Sequence, residues 1–215
     1  MPDFELFIGN KNYSSWSFRP WIALKQKQIP FRETLVPFDF KNGNPDFAAF
    51  SPSHKVPVLK DGALTVWDSL AILEYVAEVH PETGLWPEDR SGRARARAIS
   101  AEMHAGFAAL RGACPMNMRR PSGKLEVSDA VNSDVARIVG IWTECLDLSG
   151  GPFLFGDFTI ADAMYAPVVS RFATYGLSSD PVVERYHGAM TGTQAWQAWY
   201  REAVQETWVV EEEEV

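Results

Sequence analysis

Cysteine is scarce in this 215-residue chain, which has only Cys114 and Cys145, and cations are outnumbered, with 20 Lys and Arg against 28 Asp and Glu. Two thiols cannot build a disulfide framework, and these two lack the close spacing of metal ligands. Free thiols suit a reducing compartment, so a cytoplasmic protein is expected. His54, His80, His104 and His187 are scattered, and no metal is expected. A formal charge of −8 excludes a general attraction for nucleic acid or an anionic membrane. No apolar run is long enough to suggest a membrane span, and the first residues lack the basic-then-apolar pattern of a secretory signal. There is no internal repeat. Two arginine groups could still hold an anion locally: Arg93, Arg95 and Arg97, and Arg111, Arg119 and Arg120. The more ordinary use of each is a solvated helix face.

Hydrophobic residues make up 46% and aromatics 13%, enough to bury a real core. Phe4, Leu6 and Ile8 read as a strand ending at Gly9-Asn10. Helical spacing follows through Trp21, Ile22 and Leu24, starting near Ser15 to Ser17 if Pro20 is to fall in the first turn. Ile29-Pro30 stops that helix, and Phe31 to Val36 reads as a second strand. After a loop with one helical turn near Asp46 to Phe50, Val56 to Leu59 and Leu64 to Trp67 flank Lys60-Asp61-Gly62-Ala63, a hairpin signal. Asp68-Ser69 then caps an amphipathic helix that ends near Val79. The order βαβ, loop, ββα describes a thioredoxin-like unit.

Beyond it the strand signals vanish. Residues 80–92 read as a linker and 93–215 as all-helical. Arg93 to Arg111 reads as one long helix and Val127 to Leu148 as another. Thr159 and Asp162 have the form of a capping box, opening a helix through Tyr175. Pro181 to Met190 and Thr193 to Val204 are shorter helices, and Glu211 to Glu214 reads as a frayed, solvated tail.

Three segments carry the chemistry: Tyr13-Ser14-Ser15-Trp16-Ser17-Phe18-Arg19, Lys55-Val56-Pro57-Val58-Leu59 and Trp67-Asp68-Ser69-Leu70-Ala71-Ile72. Hydroxyls at a helix N-terminus can cap the helix or donate to an anion. A proline heading a strand and an acid–serine pair opening a helix each have equally plain structural uses. In this order, the three segments resemble the cytosolic glutathione transferase superfamily, and the first resembles the zeta type, whose motif reads Ser-Ser-Cys.

That resemblance implies an α/β thioredoxin-like N-terminal domain over 1–79 and an all-α C-terminal domain over 93–215. It also implies glutathione as cosubstrate and a homodimer. By the same resemblance Ser14, with Ser15 close behind, donates to the glutathione sulfur. The Val56-Pro57 bond is cis, exposing the Val56 backbone to the tripeptide. Lys55 lies by the glycyl carboxylate, while Asp68 and Ser69 take the γ-glutamyl group. Trp16 stands where the zeta motif has cysteine, which argues against thiol-based reductase chemistry and counts against zeta-type isomerisation, which the Ser-Ser start favours. The electrophile pocket is expected between the domains, lined by Trp16, Met103, His104, Phe107 and Arg111. The leading expectation is conjugation of glutathione to a small apolar electrophile. Glutathione-dependent cis–trans isomerisation, peroxide reduction and a non-catalytic binding module remain as alternatives.

Overall fold

A computed structural model describes residues 4–215; Met1 to Asp3, at the head of the expected first domain, lie outside the described residues. Strand β1 (Phe4–Ile8) leads through helix α1 (Ser15–Gln26) to β2 (Phe31–Leu35). Strands β3 (Val58–Asp61) and β4 (Leu64–Trp67) follow, then α2 (Ser69–Val79). The sheet order is β2-β1-β3-β4, with β1 parallel to β2 and the other pairs antiparallel. Alternation along β1 explains its two-sided burial. Phe4, Leu6 and Ile8 enter the main core, while Phe7 packs with Phe47, Phe50 and Val58 beneath the loop before β3.

Two local expectations shift. Helix α1 starts at Ser15, which places Pro20 in the second turn. There its absent N–H forgoes a bond to the Trp16 carbonyl, a cost met because the surrounding residues 17–24 are buried. The hairpin turn is Gly62-Ala63, since Asp61 still pairs with Leu64; only Gly62 takes positive φ (55°).

The rest is helical: α3 (Arg90–Ala105), α4 (Ala108–Ala113), α5 (Asp129–Ser149), α6 (Ile160–Tyr175), α7 (Pro181–Thr191) and α8 (Gln194–Ala203). The expected helix over 93–111 is in fact two. Phe107 adopts a left-handed conformation (φ 56°) and ends the run after Gly106. Helix α3 also begins inside the expected linker, capped by Asp89, and Leu85 of that linker is buried. Helix α6 runs through the middle of the helical half, buried on almost all sides. Its capping box forms as the spacing predicts. The Asp162 carboxylate accepts from the Thr159 N–H (2.8 Å), the Leu154 N–H (3.0 Å) and the Tyr186 hydroxyl (2.9 Å).

The two halves are fastened in three places. The Lys11 ammonium, 1% exposed, pairs with Glu33 (2.7 Å) and with Glu202 of α8, and lies over the rings of Trp21 and Trp199. Phe18 of α1 stacks on Trp199, with ring centroids 4.7 Å apart. The segment after α8 returns across the molecule: Glu206 accepts from the Lys11 and Asn12 N–H groups, and Tyr13 donates to Glu214 (2.6 Å). The acidic run is therefore not a frayed tail. Among the described residues no helix is long and apolar enough to cross a membrane, and no cluster of metal-ligand side chains forms.

Candidate active site

Helix α1 points its N-terminus into a cleft between the halves. Ser14 caps it, accepting from the Ser17 N–H (3.3 Å) while its own hydroxyl donates to Ser17 Oγ (2.7 Å). Ser15 lines the cleft beside it, and among the described residues its hydroxyl has no protein partner. The capping use of Ser14 is thus realised, and the uncommitted hydroxyl at this helix end is that of Ser15. The helix end adds partial positive charge at the same place.

The cleft has two lobes that share Trp16, Lys55 and Val56. The first, about 420 Å³, is walled by Ser53, Pro57, Trp67, Asp68 and Ser69. Here the Val56-Pro57 bond is cis. The Ser51 hydroxyl pins the approach, accepting from the Lys55 N–H and donating to the Lys55 carbonyl. Asp68 caps α2 through bonds from Leu70 N–H (2.9 Å) and Ala71 N–H (3.3 Å). It does so at φ 75°, a region costly for a non-glycine residue. Ser69 is 1% exposed, and its hydroxyl has no partner among the described residues. A buried, unsatisfied hydroxyl on a cavity wall at a helix N-terminus fits a ligand carboxylate.

The second lobe, about 580 Å³, lies between Ser14, Ser15 and Trp16 on one side and Ala108, Arg111, Gly112, Arg171 and Glu213 on the other. Two guanidinium groups flank the Trp16 ring, and Arg171 lies on the wall of the same lobe. Arg19 is fully buried and lies 4.2 Å from the Trp16 ring centre; Arg111 lies 5.4 Å from it. Arg19 donates to the Met164 carbonyl and Arg171 to the Cys114 carbonyl, leaving both terminal nitrogens of Arg19 and one of Arg171 without partners among the described residues. Burial first, then mutual repulsion with Arg171 and Arg111, pulls Arg19 down to about 9. Burial likewise pulls Arg171 down to about 10. Buried, unpaired cations of this kind favour an anion that would pair with them.

Of the pocket residues expected from sequence, Trp16 and Arg111 line the cleft. Met103 and Phe107 do not: both are buried in the main core, because the break at Phe107 turns α3 away and faces its apolar side inward. His104 lies beside the cleft, its ring edge-on to Trp16 at 5.3 Å. Arg171 and Glu213 do not stand out in the sequence as site residues, and Tyr13 lies in the first motif without a role assigned to it. An arginine inside the apolar run of α6 was the available signal for Arg171. Nothing in the pattern marks Glu213. Of the two arginine groups, Arg95 and Arg97 pair with Glu144 and Glu74, the ordinary surface use. Arg119 and Arg120 instead hold the returning C-terminal segment.

A strand-bordered cleft with a cis-proline, a hydroxyl-rich helix end and a helical wall places the chain in the class of thioredoxin-like domains backed by a helical domain. Residues 13–79 match the family described as glutathione S-transferase, N-terminal domain, and 93–202 match its C-terminal domain. The chain belongs to the glutathione S-transferase family. It is 29% identical over 192 residues to the maleylacetoacetate isomerase of Rattus norvegicus, covering 86% of this chain and 87% of the relative. It is 30% identical over 190 residues to the maleylpyruvate isomerase of Ralstonia sp, covering 80% and 86%. A Burkholderia glutathione transferase homolog solved with bound glutathione superposes with a TM-score of 0.73 at 24% identity, over 93% of this chain and 97% of the other.

Proposed function

We propose that the protein binds glutathione in the first lobe and uses its thiolate to attack a small electrophile in the second. The observation that carries this is the Ser15 hydroxyl and the α1 N-terminus lining the second lobe beside Trp16, which walls both lobes. A free thiol has a pKa near 8.5. One charge-assisted hydrogen bond and a helix end supply on the order of 1–2 kcal/mol, enough to bring that value down to about 7.5 and make the attacking anion available near neutrality. Ser69 and the α2 N-terminus would hold the γ-glutamyl carboxylate, the Val56 backbone the central peptide, and Lys55 the glycyl end. No covalent enzyme intermediate is needed; proximity and thiolate stabilisation suffice.

The arginine lining favours an electrophile that carries a carboxylate over a purely apolar one. For a cis-enoic acid, the thiolate adds to one alkene carbon and the charge passes to the adjacent carbonyl. The new single bond rotates, and the C–S bond then breaks to return the thiolate and the trans isomer. The two relatives are named as isomerases of maleyl compounds, which supports this reading. Conjugation, the leading expectation from sequence, becomes the second reading; a leaving group on the electrophile would turn the same attack into substitution. The expected pairing of two copies belongs to this proposal; Leu64 and Trp67 on the sheet-edge strand β4, each 47% exposed, offer apolar surface for it. Unpaired Cys114 and Cys145 fit a reducing, cytoplasmic setting.

The test is titration of the bound thiol by its ultraviolet thiolate band, with turnover of a maleyl substrate and of an aryl halide alongside. Ser15→Ala should move the bound thiol's titration midpoint up by about one pH unit and slow attack about tenfold. An unchanged midpoint in both Ser15→Ala and Ser14→Ala would remove the serines from the mechanism.

A further inference from the structure

We propose that Glu213 is a specificity-determining residue: its carboxylate, carried into the second lobe by the returning C-terminal segment, offsets Arg171 and so sets which electrophile charge the pocket accepts. The inference rests on the proposed function, in which the electrophile lies beside this arginine.

Four consecutive glutamates, Glu211 to Glu214, would ordinarily spread into solvent through mutual repulsion. Here the segment is clamped at both ends. Arg119 donates to the carbonyls of Glu206 and Trp208, and Val210 is buried. Beyond it, Glu214 accepts from the Tyr13 hydroxyl (2.6 Å) and the Asn117 amide (3.0 Å), and Arg120 reaches the Val215 main-chain oxygen. Residues Glu211–Glu213 form a single 3₁₀ turn. Its threefold repeat places Glu213 on the same side as the buried Val210. Glu211 and Glu212 stay exposed, while Glu213 is half-buried and forms part of the wall that Ser14, Ser15, Arg111 and Arg171 complete.

The charges act on each other across that wall. Glu213 supports the charged form of Arg171, and Arg171 partly counters the burial that pushes the Glu213 carboxyl up. One buried terminal nitrogen of Arg171 still lacks a partner among the described residues. A substrate carboxylate in the lobe beside the Arg171 guanidinium meets an arginine already partly compensated, and feels the repulsion of Glu213. A neutral electrophile feels neither. Removing the glutamate charge while keeping its shape should therefore favour anionic electrophiles selectively.

Calorimetry with two glutathione conjugates that differ only in a terminal carboxylate, S-hexylglutathione and S-(carboxypentyl)glutathione, tests this without depending on which reaction is catalysed. In E213Q, affinity for the carboxylated conjugate should rise about three- to tenfold, the effect of one unit charge several ångströms away in a partly screened site. Affinity for the hexyl conjugate should stay within about twofold. E212Q, which removes the same charge from the solvent side, should leave both unchanged. Equal shifts for the two conjugates, no shift, or weaker binding of the carboxylated one would overturn the role of Glu213 while leaving the glutathione site standing. If wild-type protein binds neither conjugate, the pocket reading fails and this inference with it.

Discussion

Asp68 Oδ2 lies 3.2 Å from His104 Nε2, so the residue that caps α2 also touches the end of α3. Through its edge-on contact with Trp16, His104 braces both lobes of the cleft from the helical half. We propose for it a positioning role. His104→Phe keeps a ring against Trp16 and loses only the contact to Asp68. A half-exposed pair of this kind contributes at most about 1 kcal/mol, so KM for glutathione should rise about two- to fivefold with kcat nearly unchanged. A larger fall in kcat than rise in KM would place His104 in the chemistry itself.

Ser69→Ala separates binding from stability. The buried Ser69 hydroxyl has no partner among the described residues, so its removal should leave the thermal midpoint unchanged or slightly higher. Glutathione affinity should fall about tenfold, the loss of one charge-assisted bond. Calorimetry and a melting curve on the same sample read both effects, and unaltered affinity would dismiss Ser69 as a ligand.

Asp162 makes stability depend on pH in a direction that can be worked out. Burial pushes its carboxyl above the ordinary 3.8, although bonds from Leu154, Thr159 and Tyr186 pull part of the way back. The folded state then holds the proton more tightly than the unfolded chain. Stability from this group is present below 3.8 and is lost as pH rises through the higher folded value. Asp162→Asn should cost about 2–4 kcal/mol near neutrality, because an amide cannot accept from every donor that the carboxylate serves. The gap between wild type and variant should narrow as pH rises from below 3.8. A widening gap would mean that the hydrogen bonds outweigh burial.

Both thiols are buried, and burial pushes the Cys114 and Cys145 pKa values up. A disulfide reagent should therefore react with neither in the native protein and with both after unfolding. Rapid reaction of one thiol in the folded state would show that the core opens locally.

Much of the fold was legible because its signals are local. The Thr159–Asp162 box, the Asp68-Ser69 cap and the 3.6-residue spacing of Val131, Val135, Ile138 and Trp142 each lie within a few turns of chain. The break at Phe107 was not, because a phenylalanine held left-handed by tertiary packing has no signature comparable to glycine. In the site, Ser15, Pro57 and Ser69 could be picked out by motif order. The second lobe could not, since Arg171 and Glu213 meet Arg111 only after α6 and the C-terminal segment fold back. Met103 and Phe107 have the composition of a pocket lining and the position of core, a distinction that only the turn between α3 and α4 decides.

The caged ammonium of Lys11 has a consequence for modularity. Its counter-ions and aromatic walls come from both ends of the chain: Glu33 and Trp21 from the sheet-bearing half, Glu202 and Trp199 from the last helix. Severing the halves near residue 90 would strip a desolvated cation of one acid and one indole, leaving a polar wound where the last helix had lain. Neither half is therefore a cassette to be exchanged freely among relatives, and a chimera would need matching residues on both sides of the cage.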